Sequence, residues 1–375
     1  MLNGINLTLM IGPTAPIPVS KEVLDALTAV QVTTGTKEPS GFQLTFELST
    51  KSPLHTLFLV TGGSMIPMVR VMIIVTFNGM PEVIMDGVMT NHEIAPGNSP
   101  STSTLTVTGE DLTKVMDYID FSGIPYPAMP FSVRVLLILA KYSFLGIIPK
   151  VLPSVLVDVP NPLDRIHRQQ GKDLAYIKCL ADEVGYVFYL EPGPRPGFSI
   201  AYWGPEVKFG IPQPALNIDM DAHTNVEALS FSFNSEEATL PFVMIQSETT
   251  KVPVTIPIPD VTPLNPPLGI IPPIPKNFEP VRETSKYSPV RAALIGMAKA
   301  AQASDGVTGK GTLDVLRYGA LLKARKLVGV RGAGHAFNGL HYVESVTHNI
   351  KRGEYKQNFS LSRNGLLSTV NRVPV

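Results

Sequence analysis

Apolar residues recur along this chain with two periods, and the switches between them divide it. Over the first hundred residues the period is two. Phe42-Gln43-Leu44-Thr45-Phe46-Glu47-Leu48 alternates without a break, which predicts a strand with one buried and one wet face. Residues 103–108 alternate again, with Leu105 and Val107 on one side and threonines on the other. Residues 72–77 and 83–89 flank Asn78-Gly79, the strongest short hairpin signal. A first strand is expected at 7–12. A short helix is expected at 20–29, after Pro16 and Pro18 and with Val23, Leu24 and Leu27 apolar. Several period-two strands and one short helix predict a small antiparallel barrel over residues 1–108.

The period then lengthens. A helix is predicted from Gly109-Glu110-Asp111 through Tyr118, and a second over 131–142 with Val133, Leu136, Leu137 and Ala140 on one face. In residues 169–190, Leu174, Ile177, Leu180, Ala181 and Val184 fall at helical spacing. Asp173 caps the start or sits in the first turn, Gly185 follows the last apolar position, and 187–190 is a strand run. Residues 198–203 follow as a further strand, so 109–205 reads as an α+β domain. Period two returns at 206–250, where Leu229, Phe231 and Phe233 alternate with Ser230, Ser232 and Asn234, and where 242–246 is a further short strand. Ten prolines crowd residues 252–280, which predicts extended, irregular chain lacking ladder donors. Helices are expected at 288–301 and 312–326, and strands at 341–350 and 354–362 around the turn Lys351-Arg352-Gly353. The prediction is thus an α+β, mainly β chain. Residues 1–108 form one barrel, and 206–250 with 327–365 form a second, discontinuous one of similar pattern. Residues 251–326 form a Pro-rich extension and helical insert.

Composition narrows the function. Lys plus Arg and Asp plus Glu both number 31, so the net charge is zero and bulk electrostatic attraction to nucleic acid has no basis. Only 17% of residues are charged and the mean hydropathy is +0.16, which points to surface buried between subunits. The single Cys179 falls within the apolar helix, so no internal disulfide can form, and a core cysteine is expected. No signal peptide is read at the N-terminus. The most apolar window, 133–152, holds Arg134, Lys141, Lys150 and Pro149 and fails as a bilayer span.

No motif carries chemistry. Gly306-Val307-Thr308-Gly309-Lys310-Gly311-Thr312 has Gly311 where a phosphate loop needs Ser or Thr, so it is expected to be a flexible link between helices. Gly332-Ala333-Gly334 lacks a third glycine and is expected to be a turn after a helix. Gly62-Gly63-Ser64-Met65-Ile66 misses the last glycine of a nucleophile elbow. His335, His341 and His348 are the closest histidines. The last two are seven apart, which in a regular strand puts them on opposite faces, so no shared metal is expected. Glu110/Asp111 and Asp182/Glu183 are adjacent carboxylates that point about 100° apart on a helix, so neither forms an acid/base dyad. Lys323, Arg325, Lys326 and Arg331 are expected near a helix C-terminus. No catalytic, cofactor-binding or metal-binding residue is assigned.

Three stretches together resemble the baseplate hub proteins of contractile phage tails and related injection systems, including the late-control-protein family and the N-terminal part of type VI secretion spike proteins. The first is Thr106-Val107-Thr108-Gly109-Glu110-Asp111-Leu112. The second runs from Gln170-Gly171-Lys172-Asp173-Leu174-Ala175-Tyr176-Ile177 through Ala181 to Gly185-Tyr186. The third is Tyr342-Val343-Glu344-Ser345-Val346-Thr347-His348, then Gly353-Glu354-Tyr355 and Phe359. The resemblance implies two β-barrel tube domains per subunit, and a homotrimer whose six barrels adapt a hexameric inner tube to a trimeric spike. It implies no catalysis and no cofactor. The implied partners are the tube initiator, the spike and other baseplate proteins, without nucleic acid or membrane insertion. The implied location is a virion tail or injection particle, assembled in the bacterial cytoplasm. With no needle domain after Val375, the spike is expected to be a separate chain. The competing readings are a soluble ligand-binding β-barrel and a hydrolase with an unrecognised site.

Overall fold

In the computed structural model the described residues are 4–36, 39–48, 68–96, 103–154, 166–193, 195–234, 239–246, 253–257, 266–274, 276–280, 295–296, 305–370 and 373. The fold is mainly β. Strands β1 (Ile5–Gly12), β2 (Leu27–Gly35), β3 (Gly41–Leu48), β4 (Arg70–Phe77), β5 (Met80–Ala95) and β6 (Ser103–Asp111) form a first antiparallel module in the order β2-β3-β6-β5-β4-β1. Alternation works here as the sequence predicts. Phe42, Leu44, Phe46, Leu48, Leu105 and Val107 are all buried, and Asn78 and Gly79 take positive φ in the two-residue β4–β5 turn. A short helix α1 (Lys21–Ala26) leads into β2. Strands β1 and β2 do not pair. They face each other across an apolar cleft of about 430 Å³ lined by Leu7, Leu24, Leu27 and Val30, so the barrel is partly open.

An α+β segment follows. The chain after β6 forms a 3₁₀ helix (Leu112–Asp117) rather than the predicted α-helix, because Gly109-Glu110-Asp111 stays in the strand and Asp111 caps the turn. Helices α2 (Phe131–Ala140) and α3 (Asp173–Val184) pack with strands β7 (Ile147–Val151), β8 (Tyr186–Pro192) and β9 (Ser199–Pro205) around Trp203, Ile138, Ile177 and Leu180. The face of α3 predicted from its spacing is the packed one, and Gly185 ends it at φ 69. The α2 prediction is reversed. Val133, Leu136, Leu137 and Ala140 are exposed, while Phe131, Arg134, Val135, Ile138 and Leu139 are buried. Cys179 is also exposed rather than in the core.

Strands β10 (Gln213–Asn217), β11 (Val226–Phe233), β12 (Val307–Asp314), β13 (Leu327–Arg331), β14 (Gly339–Lys351) and β15 (Glu354–Arg363) form a second module in the order β11-β12-β15-β14-β13-β10. Numbered by appearance within its module, each has the strand order 2-3-6-5-4-1. They differ in one pairing, since β1 meets β4 antiparallel while β10 meets β13 parallel. One strand joins them. The first part of β14 pairs β13, and its second part pairs β2 of the first module, from Ser345 opposite Gly35 to Lys351 opposite Ala29. A single apolar cluster runs through both modules.

The helix expected at 312–326 is not formed. Residues 307–314 are strand β12, and only Val315–Tyr318 is helical before Gly319 turns at φ 79. The expected helix at 288–301 lies outside the described residues apart from 295 and 296. Part of the Pro-rich stretch forms ladders. Thr239–Gln246 pairs Pro253–Pro257 and Asn277–Pro280, and Gly269–Ile271 pairs Leu366–Ser368.

Candidate functional site

The three sequence motifs occupy structural junctions. Gly109 sits where a Cβ would meet the Val88 carbonyl oxygen and the Phe42 ring, both at 2.3 Å, so only glycine lets β6 lie this close. Asp111 accepts from the Thr113 amide at 3.0 Å and from the Thr113 hydroxyl, capping the 3₁₀ turn, and Leu112 is fully buried behind it. Burial still pushes the Asp111 pKa up, against these hydrogen bonds. In the second motif Asp173 is completely buried. It accepts from Gln169 Nε2 at 2.6 Å, Tyr142 hydroxyl at 2.8 Å and Lys141 Nζ at 3.0 Å, tying α3 to α2. In the third, Tyr342, His348, Tyr355 and Phe359 are all buried on the β14–β15 hairpin. His348 Nδ1 lies 2.7 Å from the Tyr355 hydroxyl and 3.3 Å from Gln357 Nε2, and Gln357 also holds both backbone groups of Leu322. Burial lowers the His348 pKa to about 4. The bonds of the third motif lie within the second module, on the strand whose later half pairs β2.

The residues screened for chemistry remain apart. Gly306–Thr312 is no flexible link, because all but its first residue lies in β12, where Gly309 and Gly311 lie beneath the Phe231 and Phe359 rings. Gly332-Ala333-Gly334 is a turn, but it follows strand β13 rather than a helix. His341 and His348 are both buried, because a register shift between Val343 and Ser345 resets the alternation of β14. Among the described residues no three His, Cys, Asp or Glu side chains gather as a metal site. Residues 62–66 lie outside the described residues. Glu110 pairs Lys114 at 3.2 Å. The basic residues end no helix. Lys323 pairs Glu82 at 2.8 Å, Arg325 lies 4.0 Å from the Tyr189 ring centroid and donates to the Gly35 carbonyl, and Arg331 donates to the Val373 carbonyl. Partial burial and the carboxylates of Glu183 and Asp182 raise the Cys179 pKa, away from a reactive thiolate.

Apolar side chains and open strand edges also gather on the surface. Val133, Leu136 and Leu137 form an apolar face on α2, and Phe144 and Ile148 beyond it are 60% and 50% exposed. Two strand edges are also open. Among the described residues β11 pairs only β12, and β5 past Met89 pairs only β6. The helical signal was present in the sequence, since apolar residues fall on more than one face of 131–140.

No protein-family profile and no curated protein sequence matches this chain. Solved structures do. A tail protein from Neisseria meningitidis MC58 superposes with a TM-score of 0.63 at 12% identity, covering 97% of this chain and 98% of that one. The 43 kDa tail protein of prophage MuSo2 from Shewanella oneidensis gives 0.57 at 14% identity, covering 97% and 99%. The E. coli c3393 protein, a type VI secretion component described as similar to T4 tail proteins gp27 and gp5, gives 0.53 at 13%, covering 93% and 78%. The chain therefore has the fold of phage tail proteins and of a type VI secretion component.

Proposed function

We propose that this protein is the structural baseplate hub of a contractile tail or injection system, a homotrimer that adapts a hexameric inner tube to a trimeric spike. The observation that carries the reading is the duplicated module. One chain holds two barrels of identical strand order joined edge to edge by β14 and β2. Two modules per chain let three chains present six equivalent units on one side and three on the other. Residues 1–108 form one tube domain; residues 206–250 and 327–365, with strand Val307–Asp314 added, form the other. Residues 109–205 buttress the ring, and the partners are the tube protein, the spike and neighbouring baseplate proteins. The residues of the three motifs serve packing rather than catalysis. The fold shared with tail proteins supports the same reading. Light scattering on the purified chain tests it. Three times the 40.6 kDa chain, about 122 kDa, is expected; a stable monomer at micromolar concentration refutes it.

A further inference from the structure

The seam between the two modules is a template for a seam between chains. The modules match in two of their irregularities as well as in their order. In the first, β2 against β3 slips between Leu27 and Ala29; in the second, β11 against β12 slips between Val226 and Ala228. Likewise β5 against β6 slips between Met89 and Asn91, and β14 against β15 between Val343 and Ser345. Bulges are position-specific features, so coincidence at two places fixes the correspondence residue by residue. Val88 corresponds to Tyr342, Asn91 to Ser345, Ala29 to Ala228 and Gly35 to Asn234. Even the hydrogen bond flanking the bulge recurs, with Met89 donating to Val69 and Val343 to Lys326, each at 2.9 Å.

Within the chain, β14 past this bulge is covered by β2. Among the described residues its counterpart, β5 past Met89, is bare on that side, and so is β11, the counterpart of β2. The two bare edges are thus the two halves of the seam already seen once. Their side chains match as well. Residues 229–233 alternate Leu, Ser, Phe, Ser, Phe, and 92–95 read His, Glu, Ile, Ala, with Ile94 and Phe233 40% and 37% exposed. β11 carries no lysine or proline to guard its edge, which an exposed edge strand ordinarily needs.

We infer that residues 90–95 of β5 pair antiparallel with β11 of a second copy of this chain, in the register of the internal seam. Transposing that register sets Asn91 opposite the partner's Asn234, His92 opposite the partner's Phe233, Glu93 opposite the partner's Ser232, Ile94 opposite the partner's Phe231 and Ala95 opposite the partner's Ser230. Each chain then offers one edge of each kind, a head-to-tail contact that makes the junction between chains equivalent to the junction within one. The inference rests on the trimeric reading above and specifies its interface.

Cross-linking tests it. In a Cys179→Ser background, Glu93→Cys and Ser232→Cys are combined and the protein is oxidised. Facing residues of an antiparallel pair lie about 5 Å apart at Cα, within disulfide reach. The expected product is a covalent trimer on a non-reducing gel, with neither single-cysteine variant linked. A particle of trimer mass that does not link overturns this seam and leaves the trimer standing; a monomeric mass overturns both. Ile94→Asp supplies the second arm. Its surface position keeps the fold, read by unchanged circular dichroism, and folded monomers are expected. A variant that remains fully trimeric overturns the inference.

Discussion

Acid should loosen the joint between the two modules, and His348 is the group through which it acts. The imidazole is buried on β14, the strand common to both modules, with Val32 of β2 on one side and Gln357 of β15 on the other. Its Nδ1 lies against the Tyr355 hydroxyl and the Gln357 amide, and among the described residues no carboxylate is hydrogen-bonded to the ring. Burial disfavours the charged ring, so the pKa falls from 6.5 to about 4. A group that binds its proton more weakly when folded contributes its full stability above the unfolded pKa. That contribution is lost as pH falls from about 6.5 toward about 4. A shift of this size is worth roughly 3 kcal/mol. His341 works in the same direction, since burial and the Arg363 guanidinium lower its pKa to about 3. The assay is urea unfolding at fixed protein concentration, at about pH 7.5 and about pH 4.5, for the wild type and His348→Gln. Glutamine keeps an acceptor for Tyr355 and cannot be protonated. The wild type should lose roughly 2–3 kcal/mol more than the variant between the two pH values. Parallel losses would refute the argument.

Two further outcomes follow from close contacts. Gly109→Ala drives a methyl into the Val88 carbonyl and the Phe42 ring, both at 2.3 Å, and should cost about 1–3 kcal/mol, read as a lower thermal midpoint; an unchanged midpoint would show that β6 can shift freely. Asp86→Ala strands the buried Arg70, which Asp86 grips at 2.7 and 2.8 Å while Arg70 also reaches Gly197 and Ser199 reaches Asp86. It should cost about 3–5 kcal/mol, and Arg70→Met with Asp86→Leu should restore most of it; equal losses in the single and double variants would count against an uncompensated charge.

Strands that alternate were legible in the sequence because one face is buried and nothing interrupts the period, as in Phe42–Leu48. Helix α3 was legible for the same reason, at helical period. Helix α2 was not. Its sequence is apolar all round, so periodicity could not choose between Val133-Leu136-Leu137 and Val135-Ile138-Leu139, and only packing did. Strand β12 was hidden because its middle inward positions are Gly309 and Gly311, whose missing side chains are replaced by the Phe231 and Phe359 rings of neighbouring strands. Without apolar residues at those places the alternation disappears, and the helical spacing of Leu313 and Leu316 dominates. The cross-module pairing of β14 with β2 was out of reach, because a strand carries no mark of which distant edge it will meet. The two His residues were misplaced for a related reason, since a bulge changes the face count without a residue type to announce it.

The long β14–β15 hairpin also governs when the first module can be finished. Thr33 meets Thr347 across 314 residues of sequence. As the polypeptide leaves the ribosome, the edge of β2 stays uncovered until β14 has been made. The first barrel is in this sense sealed by a much later segment, and a nascent or shortened product ending before β14 presents a bare, apolar-backed edge to its neighbours.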